Sequence, residues 1–133
     1  MTKAPPTSED LAELCRRVLP SRLAVWLYGS LVGGDFRSDS DIDLAVLMPE
    51  ALTPLQRFDL AEQLAQELRR DVDQVDMRSA PLALRAQIAG HGLLIDVTDQ
   101  WAADSCAMYA LSDFARLNEE RRPVLQALGV RDV

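Results

Sequence analysis

A glycine-serine pair, ten residues, and then Asp41-Ile42-Asp43 stand between two short apolar runs, Leu23-Ala24-Val25-Trp26-Leu27-Tyr28 and Ile42-Asp43-Leu44-Ala45-Val46-Leu47. Each run has the length of a buried strand and is too short for a typical helix. Gly29 and Ser30 therefore end one strand, and Asp41 and Asp43 open the next. Glycine at 29 lets the backbone turn sharply and approach a phosphate without a side chain in the way, and Ser30 offers a hydroxyl and an N–H to phosphate oxygens. Two aspartates spaced two apart on a strand leave the same face, so they can share divalent cations. Magnesium prefers carboxylate and phosphate oxygens, and two such ions can stabilise both oxygens of an in-line displacement.

Such a site calls for a third carboxylate. If Ser30 and Asp41 share one ligand, the first two strands are antiparallel neighbours, and the third carboxylate opens a strand parallel to the second. A parallel neighbour needs a crossover of a dozen or more residues, usually a helix. Thr53-Pro54 is a helix-start signal, and Leu55, Phe58, Ala61, Leu64, Ala65 and Leu68 follow at helical spacing. Residues 70–77 are then a strand candidate with three aspartates. Asp73 shares a face with Val75 and Met77, and Asp76 lies on the opposite face with Val72 and Gln74, so alternation alone does not choose between them.

The pattern GS-x10-DxD followed by a Val-Asp-x-Val strand resembles the minimal nucleotidyltransferases of the DNA polymerase beta superfamily, the MntA antitoxin family in particular. The similarity runs through residues 79–88, which resemble the helix after the family's third strand, and covers roughly residues 22 to 98. The resemblance implies that the third carboxylate is Asp73. It further implies transfer of a nucleoside monophosphate from ATP, with two magnesium ions, to a tyrosine of a HEPN-domain ribonuclease toxin. One departure stands out: the family often carries basic residues in the turn after Gly-Ser, and here that turn is Leu31-Val32-Gly33-Gly34. Triphosphate binding then leans on Gly29, Ser30, backbone N–H groups, the metals and Arg37.

The expected architecture is an α+β domain with a mixed sheet in strand order 1-2-3, helices on one face and carboxylates on the other. A chain of 133 residues, 48% hydrophobic, suffices for one core and is expected to be a single domain with a helical C-terminal segment at about 101–129. A net charge of −7 argues against a broad surface for long nucleic acid and favours a protein or small-molecule acceptor. No signal peptide or membrane span is apparent, so a cytoplasmic protein is expected.

The remaining features read as scaffold. Residues 7–19 form an amphipathic helix, with Thr7 and Asp10 at capping-box spacing. Residues 92–97 are a fourth, edge-like strand, and the helix beginning near Trp101 breaks or kinks at Arg122-Pro123 before a short last helix ending near Gly129. Cys15 and Cys106 read as packing thiols, His91 as a loop residue, and Trp26 and Trp101 as core or interface. Two other functions fit the same site: a non-catalytic module that neutralises its partner by contact, and a small-molecule nucleotidyltransferase of the antibiotic-modifying kind, for which the chain is short.

Overall fold

The computed structural model describes residues 4–34 and 40–129. Its elements are α1 (Ser8–Val18), β1 (Ala24–Tyr28), α2 (Ser30–Gly33), β2 (Ile42–Leu47), α3 (Pro54–Leu68), β3 (Val72–Asp76), α4 (Leu82–His91), β4 (Leu93–Val97) and α5 (Gln100–Ala127). The sheet has the order β3-β2-β1-β4, with β1 antiparallel to β2 and β4, and β2 parallel to β3. The expected 1-2-3 order is present, and β4 extends it beyond β1. The parallel β2–β3 step is carried by the α3 crossover, as the spacing required.

Helix starts follow local chemistry. The Thr7 side chain accepts a hydrogen bond from the Asp10 N–H, and the Asp10 carboxylate accepts one from the Thr7 N–H. Thr53 and Gln56 repeat this reciprocal cap ahead of Pro54 at the first turn of α3.

Helices cover both faces of the sheet, which corrects the expectation that they pack on one. Val25, Leu27, Ile42, Leu44 and Val46 meet Leu11, Leu14 and Cys15 of α1 and Leu60 and Leu64 of α3. On the other face Ala24, Trp26, Ala45, Leu47, Val75 and Met77 meet Ile88 of α4 and Ala103 of α5. The cause lies in β1 and β2, interior strands that are apolar on both faces and so need cover twice. The carboxylates consequently share a face with α4 and α5, at its open end, and do not look out from a bare side.

A second correction concerns α5, which runs unbroken through Pro123 to Ala127. Proline removes one N–H bond to the preceding turn, and here the helix continues across that gap. The edge strand β4 is tied to the rest by Asp96, whose carboxylate takes hydrogen bonds from Arg22, just before β1, and Arg16 of α1. Among the described residues no helix is long and apolar enough to cross a membrane.

Candidate active site

Two strand registers bring the candidate residues together. Antiparallel pairing sets Tyr28 opposite Asp43, so the chain leaves β1 at Gly29 directly beside that carboxylate. Parallel pairing sets Asp73 opposite Asp43. Asp41, exposed and just ahead of β2, lies two residues before Asp43 and on its side of the strand.

Gly29 is required twice over. Its φ of 77° belongs to the region that favours glycine, and a Cβ there would lie 2.1 Å from Asp43 Oδ2. The chain then turns into the four-residue α2, led by Ser30, with the Gly33 N–H bonded to the Gly29 carbonyl at 3.0 Å.

The electrostatics mark this end of the sheet. Half-burial pushes the Asp43 carboxyl up to about 6, and the negative charges of Asp73 and Asp41 add to the rise. Burial likewise raises the Tyr28 hydroxyl, reinforced by Asp73 and Asp43. Asp43 therefore feels the negative charge of both other carboxylates. Among the described residues no group of three or more His, Cys, Asp or Glu is gathered closely enough to hold an ion unaided. That suits magnesium, which binds through one or two carboxylates plus substrate phosphates more often than in an all-protein cage. The donor set and its mutual repulsion fit a divalent cation brought in with a nucleotide.

Asp76, the rival third carboxylate, is fully buried on the opposite face. It accepts hydrogen bonds from the Leu52 N–H at 2.8 Å, the Arg78 N–H at 3.0 Å and the Ser79 hydroxyl at 3.1 Å, so it clamps two loops. Arg37 lies outside the described residues. His91, expected in a loop, is the last residue of α4. With Gln87 and Tyr28 it lines a cleft of about 170 Å³ against Gly29 and Gly33. Sequence reasoning passed over Tyr28 and Gln87. The position of Tyr28 next to Gly29 was the available signal, whereas nothing local connects Gln87 to a turn nearly sixty residues earlier.

Residues 9–100 match the family described as polymerase beta, nucleotidyltransferase. The chain belongs to that family. It is 34% identical over 115 residues to the protein adenylyltransferase MntA of Shewanella oneidensis, covering 86% of this chain and 82% of the relative. Among solved nucleotidyltransferase structures, a toxin–antitoxin structure with AMP-PNP superposes with a TM-score of 0.81 at 31% identity, over 93% of this chain and 99% of the matched one. A complex of tri-AMPylated Shewanella oneidensis HEPN toxin with its MNT antitoxin gives 0.75 at 30% identity, over 92% and 96%. Both the sheet and the helices on its two faces are thus shared with antitoxin nucleotidyltransferases.

Proposed function

We propose that this chain transfers AMP from ATP to a hydroxyl of a HEPN-type toxin, a tyrosine by the family resemblance, and thereby acts as an antitoxin. The observation that carries this reading is the pairing of Asp43 with Asp73 beside Gly29, in a chain similar along most of its length to a protein adenylyltransferase. Asp41 and Asp43 would hold two magnesium ions, with Asp73 completing one of the two metal positions. When bound, magnesium offsets phosphate charge and stabilises the entering and departing oxygens. Asp73 accepts the proton of the attacking hydroxyl as that oxygen bonds to the α-phosphorus and pyrophosphate leaves. Gly29, Ser30 and Arg37 position the triphosphate, and the closeness of Gly29 to Asp43 fixes phosphate and carboxylate relative to each other. The reaction belongs in the cytoplasm, where ATP and a newly made toxin meet.

Two measurements test the reading. Calorimetry with ATP should detect binding in magnesium and none in chelator, because phosphate cannot approach three uncompensated carboxylates. Intact-mass analysis of the HEPN partner after incubation with ATP should show an adenylate adduct with wild type and none with Asp41→Asn/Asp43→Asn. Neutralisation of the partner by both proteins without an adduct would instead establish the contact-only module.

A further inference from the structure

A cleft of about 350 Å³ opens on the same sheet face as the carboxylates but at its opposite end, with Leu47 and Met77 as its floor. Leu47 is four residues along β2 from Asp43, about 13 Å at strand rise. It is also lined by Arg78 and Arg85 and, from α5, by Trp101 and Tyr109.

Both arginines are anchored by backbone carbonyls. Arg78 Nε donates to the Met48 carbonyl at 2.5 Å, and Arg85 Nε to the Ala80 carbonyl at 2.9 Å. Anchoring at Nε fixes each guanidinium plane and leaves its terminal NH2 groups for another acceptor. Among the described residues neither arginine makes an ion pair, in a chain whose net charge is −7. Their charges reach the cleft: the Cys106 thiol, raised by burial, is drawn back by Arg85 and Arg78 and pushed up again, to a smaller extent, by the buried Asp76. The α5 lining is aromatic and exposed, with Trp101 78% and Tyr109 60% accessible, two helical turns apart. Trp, Tyr and Arg are the residues that dominate binding energy in protein interfaces.

We propose that this cleft docks an acidic segment of the partner protein, with carboxylates on Arg78 and Arg85 and apolar side chains on Trp101 and Tyr109. The inference rests on the reading of the chain as an enzyme that modifies a protein partner. Charge complementarity selects the occupant, since two isolated cations in an acidic chain match a few carboxylates and not a long polyphosphate backbone. Helix α5 gives the docked partner a direction. It starts at the cleft with Trp101 and passes Gly90, where Leu111 lies 3.6 Å from the position of a Cβ, close to His91 and the Gly29 cleft. A partner seated at Trp101 and lying along α5 reaches the carboxylate end, so the cleft anchors the acceptor at a distance from its reacting hydroxyl.

The test uses the full chain and its HEPN partner. Arg85→Gln and Trp101→Ala should each weaken the complex at least about tenfold by calorimetry, as expected of interface anchors. Raising salt should weaken the wild-type complex more than the Arg85→Gln complex. Magnesium-ATP affinity should be unchanged in both variants, and Trp101→Ala, altering an exposed side chain, guards against misfolding as the explanation. An intact wild-type complex indifferent to both substitutions would overturn this inference alone. Absence of any wild-type complex would overturn the partner reading and this inference with it. Quenching of Trp101 fluorescence by single-stranded oligoadenylate but not by partner would identify a nucleic-acid site and overturn it as well.

Discussion

Asp43 and Asp96 are both strand aspartates drawn out of water, on β2 and β4, yet their surroundings are opposite in sign. Asp96 sits between two guanidiniums, and Arg22 and Arg16 hold its carboxyl below the ordinary range even though burial alone would raise it. Asp43 faces Asp73 and Asp41, and its carboxyl is pushed up to about 6. One carboxylate is neutralised by the chain itself and ties α1 to the sheet edge. The other is pushed up by burial and by its two carboxylate neighbours, an arrangement of the kind that gathers at functional sites and that a divalent cation arriving with a nucleotide would relieve.

The largest expected effect breaks the uncompensated end. Asp43→Asn should lower adenylate transfer by more than roughly 10²-fold, since even the outer-shell partners of metal ligands are worth 10- to 100-fold. Removing a like charge should at the same time leave the thermal midpoint unchanged or higher. A fall in the midpoint equal to that of a core mutant would mean that Asp43 is structural and would erase the contrast with Asp96.

The compensated end should respond in the reverse manner. The Arg22 and Asp96 side chains are 9% and 7% exposed, so Asp96→Asn leaves a buried guanidinium unpaired and should cost about 3–5 kcal/mol in denaturant unfolding. Transfer per folded molecule should stay as in wild type. The pH dependence follows from the lowered carboxyl. Asp96 contributes its stability above its unfolded value near 3.8 and loses it as pH falls through the lower folded value. Acid titration of stability should therefore flatten in Asp96→Asn relative to wild type.

Asp76 gives the smallest effect and sharpens the comparison, being buried but satisfied by neutral donors. Its two oxygens accept from Leu52, Arg78 and Ser79, so an amide in either orientation sets an NH2 against at least one donor. Asp76→Asn should cost about 1–3 kcal/mol and leave transfer nearly unchanged. Abolished transfer in Asp76→Asn with retained transfer in Asp73→Asn would move the site to the other face of β3.

What could be read from the sequence was local. The apolar runs located β1 and β2, Thr7 with Asp10 and Thr53-Pro54 announced two helix starts, and a third carboxylate opening a strand parallel to β2 called for the α3 crossover. The second helical layer was not legible, because α5 buries Ala103 and Ala110 while exposing Trp101, Met108 and Tyr109, an inversion of the usual stripe. Nor was the Arg22–Asp96 pair, whose members are separated by more than half the chain. Period-2 alternation could not separate Asp73 from Asp76 because it records which face a side chain takes and not what it bonds. The cleft at Arg78 and Trp101 was invisible for a like reason: helix packing, not spacing, assembles it.

The contact between Gly29 and Asp43 bears on how such a chain can diverge. The β1–β2 register sets Tyr28 opposite Asp43, and the bare Cα of Gly29 therefore lies against one oxygen of that carboxylate. A side chain at 29 would collide with the Asp43 carboxylate, so a substitution that enlarges one member of the pair displaces the other.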